Sequence, residues 1–234
     1  DPWAQSVVPK LPQILGHEFA GEVVEVGKEV HHLKPGDHVA GETHIPCDNC
    51  YCCLTGQRHI CLNMKVYGVH SQGIFSEYTT VPEPCAVKIP PEIPFPVAAM
   101  MEPCGVAVHG LSKGIVSGKT LLIFGCGPIG LFALQGALAY GASRVYAVDI
   151  SANRLKMAQS FGATKVFHGE KDPVEKTILD ETRGLGVDMV LEISGSQKAY
   201  DQGLRLLRKA GTFVVIGLPS KPIQLEIPTN VMYK

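Results

Sequence analysis

Leu121-Leu122-Ile123-Phe124-Gly125-Cys126-Gly127-Pro128-Ile129-Gly130 joins an apolar run to the pattern G-x-G-x-x-G and leads into a stretch with helical spacing. Alone the glycine pattern is weak. Placed after a strand and at the opening of a helix, it is the dinucleotide-binding fingerprint. Gly125 permits the tight turn, Gly127 lets backbone approach a pyrophosphate, and Gly130 lets helix and strand pack closely. The pyrophosphate is expected to meet free N–H groups at the positive end of the helix. Nineteen residues beyond Gly130, Asp149 ends the next strand, where a carboxylate can hold a ribose hydroxyl. It favours NAD over NADP because it repels a 2′-phosphate. Arg154 argues the other way by its charge, but it lies in the following helix and is expected to line the adenosine site. Ile129, Ile216, Gly217 and Leu218 are further candidate cofactor-binding residues.

Strands and helices alternate around this motif. Strands are predicted over 121–124, 144–150, 166–167, 187–193 and 212–216, and helices over 129–140, 152–161, 174–182 and 197–209. Such alternation implies an open, doubly wound parallel sheet, here a Rossmann domain over residues 105–234. Upstream the pattern changes. Phe19 to Val26 is β-rich, Lys34-Pro35-Gly36-Asp37 is a turn, His38 to Ala40 is a short strand, and Gly73 to Val81 alternates like another. Prolines at 82, 84, 90, 91, 94 and 96 then break regular structure. Residues 1–104 therefore form a separate β-rich domain, and the fold class is α/β.

Of the 234 residues, 45% are hydrophobic and 18% charged, which argues against disorder. The 21 basic and 22 acidic side chains nearly cancel, and no basic stretch offers a footprint for nucleic acid. Apolar runs are too short to span a membrane, and no leader pattern is present. A cytoplasmic, soluble protein without nucleic-acid or membrane partners is expected. The chain opens at Asp1-Pro2-Trp3 and closes on Asn230 to Lys234, which reads as a rising apolar strand. Both ends are those expected of an internal fragment.

Eight cysteines in such a chain are expected to be ligands rather than disulfides. Cys47, Cys50, Cys53 and Cys61 stand as C-x2-C-x2-C-x7-C, a spacing that can close a tetrahedral zinc shell and fix a loop with little core of its own. The competing reading is an iron–sulfur cluster. A ferredoxin run, however, continues with three intervening residues and a proline. Here seven residues intervene and no proline follows Cys61, so zinc is preferred. Cys52 is a spare thiol, and Cys85 and Cys126 are small packing residues. Gly16-His17-Glu18 follows the apolar pair Ile14-Leu15; alone, its histidine reads more readily as structural than as a ligand.

Together, the G-H-E segment, the four-cysteine lobe and the glycine fingerprint resemble the zinc-containing medium-chain alcohol dehydrogenases over essentially the whole chain. The resemblance implies a GroES-like catalytic domain ahead of the Rossmann domain, with a catalytic zinc in the cleft between them. It makes His17 and Glu18 metal ligands. Glu102, in Met101-Glu102-Pro103-Cys104, matches a position filled by cysteine in ordinary alcohol dehydrogenases and by glutamate in the polyol and threonine dehydrogenase branches. Cys104 is two positions off that match. Gly41-Glu42-Thr43-His44-Ile45-Pro46-Cys47, Tyr67-Gly68-Val69-His70 with Gly73, and Ala107-Val108-His109 resemble the threonine branch, which implies a role for His44 near the substrate. Val106 after Gly105 departs from that branch and matches the polyol one. The implied activity is zinc-dependent oxidation of a secondary alcohol by NAD, in a homo-oligomer, a tetramer by the resemblance. A polyol substrate, sorbitol or 2,3-butanediol, is the alternative. A non-catalytic, zinc-stabilised NAD-binding module is the alternative of another class. The family's first zinc-ligand cysteine, the hydroxyl relay residue beside it and its sixth Rossmann strand are not matched, in keeping with a fragment.

Overall fold

The structure is a computed structural model that describes residues 12–225; Asp1 to Trp3 and the strand expected at 230–234 lie outside the described residues. The chain divides into two compact units, residues 1–102 and 103–234.

Among its described residues the first unit carries five short strands: β1 (Ala20–Glu22), β2 (His38–Gly41), β3 (His44–Ile45), β4 (Lys65–Val66) and β5 (Ala86–Lys88). β1, β2 and β5 make one antiparallel sheet, and β3 and β4 pair separately. Two four-residue helices, α1 (Tyr51–Leu54) and α2 (Phe95–Ala98), and two 3-10 turns, Arg58–Ile60 and Glu83–Cys85, stand beside them, and α3 (Met101–Leu111) begins at the unit's edge. Buried apolar packing is sparse, centred on Ala40, Ile89 and Ala98. The β-rich stretch 19–26 yields only the three residues of β1. The strand expected over 73–81 does not form. Instead the N–H groups of Gly73, Ile74 and Phe75 donate to the carbonyls of Ile14, Gly16 and Leu15, and Phe75 and Tyr78 stand exposed. β5, inside the proline-rich stretch, was not expected; it pairs with β2 between the prolines.

The second unit is the doubly wound sheet. Its elements run β6 (Thr120–Phe124), α4 (Pro128–Ala139), β7 (Arg144–Asp149), α5 (Ala152–Ser160), β8 (Lys165–His168), α6 (Val174–Glu181), β9 (Val187–Glu192), α7 (Gln197–Leu206) and β10 (Leu207–Val215). All pairs are parallel, in the order β10-β9-β6-β7-β8. The winding reverses between β6 and β9, the place where such sheets bind ligands beyond their strand ends. Side chains alternate between faces as a two-residue period demands. Leu121 and Ile123 pack with Ala107 and Leu111 of α3 and with Ala133, Leu134 and Ala137 of α4. Leu122 and Phe124 pack on the other side with Ile178 of α6 and Leu206 of α7.

Two boundaries of this unit differ from expectation by more than one residue. Helix α7 stops at Leu206, not Lys209, and β10 starts at once. The register shifts between Leu207 and Thr212, with Ala210 at φ 55° inside the irregularity. Helix α3 was not anticipated, because Pro103, Gly105 and Gly110 weaken its signal. Pro103 lies in the first turn, where a missing N–H costs nothing.

The glycines of the fingerprint differ in what surrounds them. A Cβ on Gly130 would lie 1.9 Å from the Gly125 carbonyl oxygen, whereas one on Gly127 would meet nothing within 4 Å. Gly127 also has φ −70°, open to any residue. Gly130→Ala is expected to destabilise the unit by about 2 kcal/mol, because backbone cannot yield to the added methyl. Gly127→Ala should stay within about 0.5 kcal/mol of the parent. Urea unfolding measures both, and equal costs would contradict this account.

Candidate functional site

The four cysteines of the lobe bring their sulfurs within 4.8 Å of one another. Cys50 Sγ lies 3.5 Å from Cys53 Sγ and 3.8 Å from Cys61 Sγ. A single ion with bonds near 2.3 Å holds sulfurs roughly 3.8 Å apart, so these separations suit one zinc. An iron–sulfur cluster, whose cysteines grip different irons, would spread them further. All four thiols are free. The sulfurs also accept donors suited to thiolates: Cys61 Sγ from the N–H groups of Cys47 and Asn63, and Cys47 Sγ from the Asn63 amide. That amide, with the backbone around it, lowers the Cys47 thiol to about 6, while burial pushes Cys53 up to about 12. A divalent cation would allow all four to ionise together. Cys52, between them in sequence, is not part of the cluster.

A second group forms from His17, Glu18 and Glu102, whose ligand atoms also lie within 4.8 Å of one another. The segment before His17 is pressed against the 68–73 loop with no side chain between. A Cβ on Gly68 would come 2.7 Å from the backbone of Gly16, and one on Gly73 would come 2.3 Å from the Leu15 carbonyl. Gly16 itself has φ 94°, a left-handed conformation that favours glycine. Gln13 fastens the segment further by donating to the carbonyls of Val69 and Ser71. Glu102 enters from the first turn of α3. Burial pushes its carboxyl above the usual range; His17 and His44 oppose that, while Glu18 and Glu42 reinforce it. Crowded carboxylates beside an imidazole make a donor set that suits a divalent cation.

His44 opens β3. Its ring Nδ1 lies 2.7 Å from Glu42 Oε1. The pair holds the Glu42 carboxyl below and the His44 imidazole above their ordinary ranges. Sequence reading passed over Glu42, and also over Thr43, whose buried hydroxyl oxygen finds no partner among the described residues. Glu42 could have been flagged as an acid two residues from a histidine in a turn.

In the second unit a cleft of about 510 Å³ opens at the sheet's switch point. Gly125, Gly127, Ile129, Asp149 and Arg154 all line it; Gly130 does not, and instead packs against Gly125. Gly127 precedes α4 with no side chain capping it, so the first N–H groups of that helix are free to meet an anion. Asp149 is 7% exposed and accepts 2.7 Å hydrogen bonds from the N–H groups of Cys126 and Ser151. Each carboxylate oxygen keeps a further lone pair for a ribose hydroxyl. The Arg154 guanidinium lies 3.9 Å away. Ile216, Gly217 and Leu218 are not brought into this cleft. Ile216 packs on the core near Gly110, the Gly217 N–H donates to the Glu192 carbonyl, and Leu218 is exposed. Sequence reading missed Lys198, which lines the cleft and donates to the Gly169 carbonyl across its rim. As one lysine on an amphipathic helix it carries no signal in sequence. Glu192 was missed as well. It is fully buried and accepts from the Ser194 N–H and hydroxyl and the Gly195 N–H.

Two family models match the chain: an alcohol dehydrogenase GroES-like domain over residues 3–91 and a zinc-binding dehydrogenase domain over residues 128–234. An L-threonine 3-dehydrogenase of Caldanaerobacter subterraneus subsp. tengcongensis is 40% identical over 232 residues, covering 99% of this chain and 67% of that protein. Among solved structures, galactitol-1-phosphate dehydrogenase from Escherichia coli superposes with a TM-score of 0.87 at 32% identity, over 94% of this chain and 64% of that one. A zinc-binding dehydrogenase from Sinorhizobium meliloti 1021 bound to NADP gives 0.87 at 34%, over 94% and 66%. The chain thus spans about two thirds of the length of these relatives.

Cys50→Ser and Cys61→Ser are each expected to remove one zinc per chain and to open the 47–61 loop to protease, whereas Cys52→Ser keeps the metal. Metal analysis and limited proteolysis test this. Iron with acid-labile sulfide in the parent protein would overturn the zinc assignment.

Proposed function

Because the chain belongs to the zinc-containing medium-chain alcohol dehydrogenase family, we propose that it works in an oxidoreductase that moves a hydride from a secondary alcohol to NAD, with L-threonine as substrate and 2-amino-3-oxobutanoate as product. The observation that carries the reaction class is the gathering of His17, Glu18 and Glu102 into one donor set. The threonine assignment is supported by 40% identity to a threonine dehydrogenase across 99% of the chain. A polyol substrate is the second reading, supported by Val106 after Gly105 and by likeness to the galactitol-1-phosphate enzyme. The eight free thiols support a cytoplasmic setting, and the family supports a homo-oligomer.

When bound, zinc supplies a Lewis acid that lowers the pKa of an alcohol, and NAD supplies the hydride acceptor. His17, Glu18 and Glu102 would hold the catalytic zinc, and Cys47, Cys50, Cys53 and Cys61 the structural one. The free N–H groups at the start of α4 would bind the pyrophosphate, with Gly127 allowing its approach. Asp149 would hold the adenosine ribose and disfavour a 2′-phosphate, and Arg154 would border it. His44 would stand beside the substrate, fixed by Glu42.

Threonine oxidation with NAD is expected to exceed oxidation of sorbitol and 2,3-butanediol in a side-by-side kcat/KM comparison, and a preference for either polyol would refute the threonine assignment. Asp149→Asn should weaken NAD binding about tenfold, as loss of a hydrogen bond to a charged group implies. It should also narrow the gap to NADP. Asparagine keeps one acceptor for the glycine loop but sets its NH2 against the Ser151 N–H, so a small drop in melting temperature is expected, and retained binding of NADP separates cofactor recognition from folding. Tighter binding of NADP than of NAD by the parent protein would exclude this role.

A further inference from the structure

We propose that Glu42 is a positioning residue: it turns the His44 ring so that Nδ1–H faces its own carboxylate, leaving Nε2 as the nitrogen that meets the substrate. This rests on the reading that places His44 at the substrate. One oxygen, Glu42 Oε1, accepts both the His44 backbone N–H at 2.8 Å and the ring Nδ1 at 2.7 Å. An ionised carboxylate can only accept, so the ring nitrogen facing it carries the proton.

The turn that bears the pair is itself tied down. The Glu42 N–H donates to the Cys85 carbonyl at 2.8 Å, and the Thr43 carbonyl accepts from the Tyr67 N–H at 3.3 Å. His44 then pairs with Val66 in the β3–β4 ladder. Anchored on both sides, the carboxylate has little freedom to release the ring. The charges of Glu42 and His44 also act on Glu102, one of the three residues of the His17, Glu18 and Glu102 donor set. The Glu42 and His44 side chains are 50% and 42% exposed. Exposed ion pairs contribute little to stability, so the fold gives no reason for holding this ring so closely. Orientation of the imidazole does.

The experiment uses the zinc-loaded protein labelled with ¹⁵N-histidine. His44 is expected to show the Nδ1–H tautomer in the parent and to lose it in Glu42→Ala. The same variant should lower kcat/KM for threonine by roughly tenfold to a hundredfold, the range for a lost hydrogen bond to a charged group. Zinc content and NAD affinity should stay unchanged. Glu42→Gln, whose amide oxygen can still accept from Nδ1–H, should keep the tautomer and recover part of the rate. On a His44→Asn background, Glu42→Ala should add nothing further. If His44 keeps its tautomer in Glu42→Ala, or if the two substitutions multiply independently, the positioning role is overturned. If His44→Asn leaves kcat/KM untouched while Glu42 still governs the tautomer, it is the placement of His44 at the substrate that fails, and the proposal with it.

Discussion

Main chain pressed on main chain is the constraint from which both candidate sites follow. Where α4 leaves the glycine loop, position 130 has room for hydrogen alone against the Gly125 carbonyl. This brings the first turn of α4 close to the end of β6, so that its uncapped N–H groups line the rim of the cleft. In the other unit, Gly68 and Gly73 let the 14–16 segment lie directly on a neighbouring loop, and that segment delivers His17. Side chains at such places would push the binding groups away by about the width of a methyl. A site that must hold reacting atoms within an ångström cannot absorb that displacement.

Buried acids do the remaining local work in the Rossmann unit, and two of them do it in the same way. Asp149 and Glu192 are the last residues of β7 and β9, and each folds its carboxylate back onto the N–H groups of a following turn. Asp149 takes the N–H of Ser151 and also that of Cys126 in the glycine loop. Glu192 takes those of Ser194 and Gly195. Burying a charge is tolerable only when its hydrogen bonds are made, and here they are made by loops that would otherwise leave donors unpaired. The two loops border one cleft. Asp149 therefore ties the glycine loop to the turn after β7, and only the ribose contact proposed for it is advertised by its spacing from the glycines.

What could be read from sequence follows the same division. The parallel sheet was legible because its central strands β6, β7 and β9 are buried on both faces and α4, α5 and α6 each end two or three residues before a glycine, so apolar runs and breaks coincide with elements. The four-cysteine cluster was legible because metal ligation imposes spacing. The β-rich unit was less so. Gly73 to Val81 alternates like a strand, yet its first N–H groups pair with the 14–16 segment, a long-range partner that alternation cannot name. Helix α3 was hidden by its own Pro103, Gly105 and Gly110. The end of α7 was misplaced because Leu207 to Lys209 continue a helical pattern, while pairing with β9 takes Leu207 into the sheet and leaves an irregularity before Thr212. Tertiary pairing outweighed local propensity there. Glu42 and Lys198 act through single contacts that leave no periodic trace.

The contrast in apolar packing between the units explains why one of them calls for metal. The sheet of the second unit is sandwiched between two apolar layers, each built from several elements. The first unit offers a nucleus of Ala40, Ile89 and Ala98, and its strands are two to four residues long. The 47–61 loop contributes two buried side chains, Cys53 and Cys61, and both belong to the sulfur cluster. Its exposed Tyr51, Leu54 and Ile60 add nothing to a core. Four mutually close thiols with unequal proton affinities are a poor centre by themselves, since the burial that raises Cys53 works against ionising it beside Cys47. A bound zinc would reverse that balance by neutralising the thiolates together. The loop's order would then depend on ligation where the sheet's depends on hydrophobic burial, and α1, a single turn after Cys50, would belong to the ligand frame.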